Sequence, residues 1–260
     1  MTLSLAYFRL TYRVLLFIVA TLGLLPLHLI WTLPGAIAGR LPRRQNPITT
    51  LWFRIILWAF NIRVTVVNKK NMSKKQKVFL CNHISYIDIL VIGAYFNGFF
   101  VAKSDIAGWP IFGYLARVSG TLFITRERRF LKEQLKLLNT HLEAKQSLII
   151  FPEGTTGNGR EILPFKSSLL NAVLEMKKKP VIQPLSLSYT KMNDQKLITQ
   201  EDFDHIAWYG DMTMAPHFKK LLMQKSFNAR VVIHPTIVAQ DDSTPRSLSN
   251  EAFREISSSF

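Results

Sequence analysis

The hydrophobic pattern begins with a long apolar run that is typical of a membrane-associated helix. Residues 14–33 form twenty consecutive positions without a formal charge, about the length that crosses a hydrocarbon core. Pro26 and His28 interrupt the run. Arginines flank both of its ends, so the charge pattern gives only a slight preference for one orientation. These arginines are Arg9, Arg13, Arg40, Arg43 and Arg44. The run predicts a transmembrane span, a hairpin or interfacial helix pair, or a buried hydrophobic arm.

The next apolar segment, LWFRIILWAF at residues 51–60, carries two Trp and two Phe around a single Arg. Trp and Arg are residues that settle at the lipid headgroup boundary, so the composition favours an interfacial helix over the alternative, a core helix. Together the two segments predict a hydrophobic, membrane-associated helical region over residues 1–60.

After residue 60 the pattern changes to short β-branched or aromatic runs that alternate with longer helical patterns. Predicted strands cover 62–67, 77–81, 99–103, 120–125, 147–151, 181–189 and 229–238, and predicted helices cover 86–97, 127–145 and 166–177. This alternation indicates an α/β domain with a mostly parallel or mixed central sheet flanked by helices, over residues 61–245. Residues 190–228 have weak patterning and predict an insertion before the last strand, and residues 246–260 predict a polar C-terminal tail.

Composition limits the partners. The chain has 33 Lys and Arg against 17 Asp and Glu, a net charge of +16 that attracts anionic partners such as nucleic acid, anionic lipid or an acidic carrier protein. No zinc, helix-turn-helix or RNA-binding signature accompanies this charge, so nucleic acid is not an expected partner. The single cysteine, Cys81, excludes an internal disulfide framework and fits a reducing, cytosol-facing location.

The first polar segment at a strand end is NHISYID, which follows the predicted strand 77–81. On one continuous helix, His83 and Asp88 would lie about 140° apart and could not meet. If the helix begins at Ser85, Asp88 occupies the third position of a capping pattern and His83 lies in the entry turn, free to fold back toward it. A carboxylate beside an imidazole fixes its tautomer, and such a histidine can take a proton from a hydroxyl. The alternative is that Asp88 only caps the helix and His83 only satisfies backbone groups.

A second polar segment, FPEGTTGNGREILPFK at residues 151–166, follows another predicted strand. Its glycines allow backbone N–H groups to approach an anion, and its hydroxyls can complete the cradle. The segment is not a Walker loop, because the Gly-Lys-Ser/Thr ending is missing. With Glu153 before the first glycine, it predicts a binding turn.

The third polar segment is TRERR, at the end of predicted strand 120–125. Arg126 lies directly at the strand end, and Lys103 closes the neighbouring predicted strand, so both are candidate ligands for a phosphate or carboxylate. Arg128 and Arg129 are typical of a solvated helix start. Because binding sites form beyond the carboxyl ends of parallel strands, we expect all three polar segments to converge at one edge of the sheet.

Taken in order, NHISYID, GTLFITR, FPEGTTGNG and VIQPLSLSY resemble the four blocks of the glycerophospholipid acyltransferase family, which includes bacterial 1-acylglycerol-3-phosphate acyltransferase. The resemblance spans about residues 65–190. It implies that His83 is the general base, that Asp88 orients it, and that an acceptor hydroxyl attacks a fatty acyl thioester of coenzyme A or acyl carrier protein. No cofactor and no metal are implied. The expected location is the bacterial inner membrane, with the catalytic domain on the cytoplasmic face.

The same resemblance implies that the second and third blocks hold the polar head of the acceptor. This role falls on Arg126, Glu153, Gly154 and Thr155, with Lys103 as a further candidate.

One position departs from the pattern of enzymes that act on lysophosphatidate, which commonly have Arg after PEGT where this chain has Thr156. Loss of a guanidinium should weaken binding of a doubly charged headgroup. Thr156 and the stretch WYGDM (208–212) are similar to relatives that acylate lysophospholipids or lyso-ornithine lipids, although lysophosphatidate stays the first expected acceptor. Two rival functions are a non-enzymatic basic protein that binds anionic membrane lipid, and a thioesterase in which water replaces the lipid hydroxyl.

Overall fold

The computed structural model describes residues 3–260 except Arg40, residues 42–44 and Arg126, and the side chain of Arg128 is also outside the described part. The α-helices are α1 (Leu3–Ile37), α2 (Pro47–Ala59), α3 (Asp88–Tyr95), α4 (Phe112–Val118), α5 (Leu131–Glu143), α6 (Asn171–Glu175), α7 (Gln200–Phe203), α8 (Met214–Met223) and α9 (Pro245–Ser257). The strands are β1 (Ile62–Val67), β2 (Lys77–Cys81), β3 (Phe99–Lys103), β4 (Leu122–Ile124), β5 (Leu148–Ile150), β6 (Val181–Met192), β7 (Gln195–Lys196) and β8 (Phe227–Ile233).

Within the described part of the chain, the strands form a mixed sheet in the order β1-β8-β6-β2-β5-β3-β4, and β7 pairs with β6 as a short hairpin. Strands β6, β2, β5, β3 and β4 are all parallel, whereas β8 runs antiparallel to β6. The prediction of an α/β domain with a mostly parallel or mixed sheet is confirmed. Because β2, β4 and β5 are parallel, their carboxyl ends lie at one edge, as expected for the three polar segments.

Two hydrophobic layers cover the sheet, and together they explain why its central strands are apolar on both faces. Residues of α2, α3 and α8 pack on one face, for example Phe53, Val91 and Leu221. Residues of α5, α6 and α9 pack on the other, for example Leu138 and Ile256. The sheet edge that carries the polar segments therefore sits on a well-packed core.

The C-terminal segment differs from its prediction. Residues 246–260, predicted as a polar tail, form most of α9, which begins with a capping box between Thr244 and Ser247. Leu248, Ala252 and Ile256 recur every four residues and are buried against the sheet. This spacing places the apolar side chains on one helical face, so the segment packs on the sheet despite its polar composition.

The insertion before the last strand is also more regular than predicted. It starts as the β6–β7 hairpin, in which Asn193 and Asp194 both have positive φ, as a two-residue turn of this kind requires. Helices α7 and α8 follow. The last strand, predicted over 229–238, ends at Ile233 in β8.

The N-terminal region is a pair of packed helices. Among the described residues, α1 is the one helix that is long and apolar enough to cross a membrane. One face of α2 is buried through Phe53 and Ile56, while Leu51 and Trp58 are exposed on the other. The segment 51–60 thus packs on the domain along one face and exposes apolar side chains on the other, and its interfacial location stays a prediction.

Two arginines fasten the start of α1 to the end of α8. The buried guanidinium of Arg13 donates to the carbonyl oxygens of Leu222, Gln224 and Lys225 at 2.6–2.9 Å. Arg9 donates to the carbonyl of Met223 at 2.8 Å. Since the last carbonyls of a helix lack intrahelical partners, these contacts cap α8 and hold α1 on the domain.

Candidate active site

His83 and Asp88 form a hydrogen-bonded pair at the carboxyl end of β2. His83 Nδ1 lies 2.8 Å from Asp88 Oδ2, so the proton that they share stays on Nδ1 and leaves Nε2 as an acceptor. Nε2 makes no hydrogen bond to any described residue, and the imidazole is 17% exposed. The pair therefore has the arrangement of a general base oriented by a carboxylate.

Asp88 also holds the turn that carries the histidine. Its fully buried carboxylate accepts hydrogen bonds from the backbone N–H groups of Ile84 (2.6 Å) and Ser85 (2.9 Å), and from the hydroxyl of Tyr189 (2.8 Å). The bond to Ser85 is one half of a capping box, although α3 begins at Asp88 and not at Ser85 as predicted. One carboxylate thus closes the turn and contacts the imidazole, so the two roles offered by the sequence coexist.

The strand before the turn is anchored by Asn82. Its buried side chain donates to the carbonyl of Leu187 at 2.8 Å and accepts from the N–H of Leu187 at 2.7 Å, which ties the end of β2 to β6. Cys81 is fully buried beside it. Burial raises the pKa of the Cys81 thiol well above its ordinary value, and the charges of Asp88 and Glu153 add to this, so the thiol is unsuited to be a nucleophile.

Phe151 sets the plane of the imidazole. The rings of His83 and Phe151 stack with centroids 4.0 Å apart and an interplanar angle of 13°, and Phe100 stacks behind Phe151 at 6.2 Å. Stacking on one face and the bond to Asp88 at one edge leave the imidazole little freedom to rotate. Preorganisation of this kind is what a general base needs.

Glu153 connects the glycine turn to the histidine turn. It is 3% exposed, and its two oxygens accept from the backbone N–H groups of His83 (2.6 Å) and Leu163 (2.9 Å). Burial raises the pKa of Glu153 to about 7, in spite of these two hydrogen bonds, and the charge of Asp88 adds to the rise. The residue predicted to hold a headgroup thus has both oxygens on backbone amides.

The glycine turn itself folds over the histidine turn. Gly154 has φ +76°, a value that favours glycine, and the N–H of Gly157 donates to the carbonyl of His83 at 2.8 Å. Thr155 is exposed at the tip of the turn. Thr156 is buried and lines the same cavity as His83. Neighbouring threonines therefore face two different environments.

The two cationic candidates are Lys103, at the end of β3, and Arg126, which follows β4. Lys103 is about half exposed and forms an ion pair with Asp105, two residues along the chain. Arg126 lies outside the described residues. Its neighbour Thr125 donates to Ser104 at 3.4 Å, which places the end of β4 beside the end of β3. Their predicted contact with the acceptor stays a prediction.

An apolar cavity of about 240 Å³ opens beside His83. It lies between the carboxyl edge of the sheet and helices α1 and α2. Its wall includes Phe17, Leu24, Trp52, Tyr86 and Phe218, and Thr156 and His83 lie on the same wall. The histidine is thus positioned where an apolar chain and a polar reacting group would meet.

The segment over residues 199–224, here called the bridge segment, covers the turn that carries His83. The N–H of Trp208 donates to the carbonyl of Ile84 at 3.0 Å, and the Tyr86 hydroxyl lies 2.8 Å from His217 Nδ1. Because α8 within this segment is also capped by Arg13, the bridge segment joins α1 to the turn that carries His83.

Sequence reasoning missed the supporting residues Asn82, Phe151 and Tyr189. Two weak signals existed, since Asn82 opens the NHISYID segment and Tyr189 ends the VIQPLSLSY block. Tyr189 is 101 residues from Asp88 along the chain, a pairing that no local pattern predicts.

Comparisons with known proteins agree with the motifs. The family model Acyltransferase matches residues 63–188. A lyso-ornithine lipid O-acyltransferase of Rhodobacter capsulatus is 36% identical over 62% of this chain and 58% of the relative. One of Pseudomonas aeruginosa is 32% identical over 80% of this chain and 75% of the relative. The chain belongs to the acyltransferase family, which confirms the resemblance drawn from its four blocks.

Other relatives carry the name 1-acyl-sn-glycerol-3-phosphate acyltransferase and are 29–32% identical over 41–54% of this chain. The fold is that of the 1-acyl-sn-glycerophosphate (LPA) acyltransferase PlsC from Thermotoga maritima, with a TM-score of 0.56, 18% identity, and coverage of 96% of this chain and 95% of that one. Among the lyso-ornithine lipid O-acyltransferases, the chain spans 58–75% of the relative's length.

Proposed function

We propose that the protein transfers a fatty acyl group from a thioester donor to the free hydroxyl of a lysolipid. The observation that carries this proposal is the His83–Asp88 hydrogen bond of 2.8 Å beside an apolar cavity. A base in the wall of an apolar cavity suits substrates that are apolar along the chain and polar at the reacting end. Membership of the acyltransferase family supports the same reaction.

The proposed reaction begins at Nε2 of His83, the imidazole nitrogen that makes no hydrogen bond to a described residue. His83 Nε2 takes the proton of the acceptor hydroxyl while its oxygen attacks the thioester carbonyl. The tetrahedral intermediate then collapses, the carbon–sulfur bond breaks, and the proton moves from Nε2 to the departing thiolate. An ester replaces the thioester, and His83 returns to its starting state. The buried carboxylate of Asp88 stabilises the imidazolium that forms between the two steps.

The apolar cavity is the proposed site of the reacting acyl chain. Its lining offers few polar groups, so a hydrocarbon chain gains from leaving water there. A filled cavity also keeps water away from His83, which favours transfer to a lipid hydroxyl over hydrolysis. A thioesterase, the rival that shares the same base, would instead release free fatty acid.

Two acceptors suit the site. 1-Acylglycerol-3-phosphate is the acceptor expected from the four motif blocks. Lyso-ornithine lipid is favoured by two observations: the names of relatives that match up to 80% of this chain, and the neutral Thr156 on the wall that also carries His83. In either case Lys103, Arg126, Gly154 and Thr155 are the proposed headgroup side of the site. Glu153 acts there by shaping the turn, since its oxygens are on backbone amides.

The proposed location is the cytoplasmic face of the bacterial inner membrane, with α1 lying in the plane of the membrane. One face of α1 packs on the domain, through Arg13 and through Phe17 and Leu24 at the cavity wall. The opposite face exposes apolar side chains, including Leu15 and Leu22. A helix held along one side by protein and apolar on the other matches an interfacial helix. The donor there is acyl-CoA or acyl carrier protein.

The test is a transfer assay with purified full-length protein in detergent micelles. Both donor types are combined with 1-acylglycerol-3-phosphate or lyso-ornithine lipid, and acylated lipid and free fatty acid are measured together. We expect donor-dependent acylation of at least one lysolipid. Release of fatty acid alone would replace the proposal by a thioesterase, and salt-sensitive lipid binding without any turnover would favour the non-enzymatic basic protein.

A further inference from the structure

The side chain of Lys166 lies across the glycine turn. A Cβ atom built on Gly154 would fall 2.9 Å from Lys166 Nζ and 3.2–3.3 Å from two carbons of the same side chain. The backbone N–H of Lys166 donates to the carbonyl of Pro152 at 2.8 Å, which fixes the lysine beside the turn. Glycine at position 154 therefore leaves the space that the ammonium occupies.

The positive charge of the Lys166 ammonium is not paired with any described acidic side chain. Lys166 is exposed and forms no ion pair with any other described residue, whereas Lys103 is paired with Asp105. Glu153, next to Gly154, directs both oxygens at backbone amides, so its carboxylate does not neutralise Lys166. A positive charge beside the catalytic turn attracts an anion.

The backbone of the turn adds unused donors. The N–H groups of Thr155 and Thr156 make no hydrogen bond to any described residue, and they follow Gly154 at φ +76°. Successive free N–H groups after a residue of positive φ form the kind of concavity that binds anions. The exposed Thr155 hydroxyl lies at the same tip.

The turn is also close to the reacting centre. The residue before Gly154 contacts the backbone N–H of His83 at 2.6 Å, and the N–H of Gly157 contacts the carbonyl of His83 at 2.8 Å. An anion held by Lys166 would thus belong to a molecule whose other end reaches His83. In the proposed reaction, that molecule is the lysolipid.

We propose that Lys166 binds the anionic headgroup of the acceptor lipid and so determines the affinity of the enzyme for charged lysolipids. This inference rests on the proposed function, and it names a residue that the four motif blocks do not assign. A lysine ammonium is a compact charge with three donors, so it serves a carboxylate or a phosphate headgroup alike.

The test compares Lys166→Met and Lys166→Arg with the wild type, with the acceptor varied at saturating donor and the donor varied at saturating acceptor. We expect KM for the charged acceptor to rise about tenfold or more in Lys166→Met, as loss of a charge-assisted hydrogen bond implies. The value of kcat and the KM for the donor should change less than about threefold, and Lys166→Arg should recover most of the affinity. The matched control is Lys178→Met, which removes an exposed lysine just before β6 begins, at the opposite edge of the sheet.

A second variant approaches the same contact from the turn. Gly154→Ala places a methyl group 2.9 Å from Lys166 Nζ, which displaces the ammonium from the turn, so it should also raise KM for the acceptor. Gly39→Ala is its control, because Gly39 has φ +61° but no described atom within 4 Å of the added Cβ. Because this control variant adds backbone strain of the same kind without a contact to Lys166, it should leave the KM for the acceptor unchanged.

The possible results distinguish a failure of the headgroup role of Lys166 from a failure of the proposed acyl transfer. If the wild type transfers acyl groups and Lys166→Met keeps the wild-type KM for the acceptor, the headgroup role is wrong and the proposed function stands. If no acceptor is acylated, binding of 1-acylglycerol-3-phosphate and of lyso-ornithine lipid is followed by tryptophan fluorescence. Weaker binding of either lipid in Lys166→Met supports the headgroup role, and equal binding of both lipids overturns it.

Discussion

The carboxylate of Glu153 accepts a hydrogen bond of 2.6 Å from the backbone N–H of His83, across 70 residues of sequence. Its other oxygen accepts from the N–H of Leu163 at 2.9 Å. One buried side chain therefore fixes both the turn that carries the base and the loop that follows the glycine turn. Glu153, the acidic residue of the sequence Pro152-Glu153-Gly154, thus helps to fix the position of His83.

We predict that Glu153→Gln lowers kcat about tenfold to a hundredfold, because an amide has one acceptor oxygen and turns an N–H donor toward a backbone N–H. Stability should fall by about 1–3 kcal/mol through the unsatisfied buried group. Steady-state kinetics and urea unfolding check the two effects. Glu161→Gln in the same loop is the control, since Glu161 is exposed. Wild-type turnover in Glu153→Gln would contradict the positioning role.

The raised pKa of Glu153 predicts how stability depends on pH. The folded pKa is about 7 against an ordinary value of 4.5. Between these two values the folded protein binds more protons than the unfolded chain, so the contribution of Glu153 falls as pH rises through this window. The loss is at most about 3 kcal/mol. Unfolding free energies at pH 5 and pH 8 measure it, with Glu153→Gln as the reference. An equal pH dependence in both proteins would show that Glu153 is not the cause.

Tyr189→Phe should lower kcat about tenfold without abolishing activity. The substitution removes the hydroxyl that donates to Asp88 Oδ1 at 2.8 Å, while the bonds of Asp88 to His83 and to two backbone amides remain. Loss of one buried bond to a charged group costs about 1.5–3 kcal/mol of stability. The control is Tyr209→Phe, which removes a similar bond to Asp204. A larger loss of activity in the control than in Tyr189→Phe would argue against a role through Asp88.

Arg13→Met tests the attachment of α1. The buried guanidinium donates to three carbonyls at the end of α8, so its loss should destabilise the protein by about 3 kcal/mol or more. We also expect faster proteolysis near the start of α1. Arg117→Met removes an exposed arginine that donates to one carbonyl, that of Ala107, and should have little effect. Similar proteolysis of both variants would mean that Arg13 does not hold α1.

The sequence predicts the contact between His83 and Asp88 that the structure shows, but not the residues that support this pair. His83 and Asp88 are five residues apart, so their meeting depends on local chain geometry that a capping pattern reveals. Asn82 contacts Leu187 of β6, and Tyr189 of β6 contacts Asp88, so both contacts join residues about a hundred positions apart in the chain. Such contacts depend on the order of strands in the sheet. The ion pair of Lys103 with Asp105 could have been read from the sequence KSD, because the two residues are neighbours at the strand end.

Helices were predicted well where periodicity was strong and missed where it was hidden by polar composition. The predicted helix 86–97 corresponds to α3 (Asp88–Tyr95), with a later start because the turn is closed by Asp88. α9 was missed because three apolar side chains in a polar segment suffice to cover the sheet. Residues 190–228, which include the bridge segment, show weak patterning because the side chains of this segment contact two different partners, α1 and the turn that carries His83.

The role of His83 as the base is tested most directly by acyl transfer in His83→Ala, measured at saturating donor and lysolipid and accompanied by thermal unfolding. We predict a loss of kcat of about 10²–10⁴-fold, the usual contribution of a general base, with an unfolding temperature close to that of the wild type. A folded His83→Ala protein that keeps kcat within a few fold of the wild type would show that His83 is not the base.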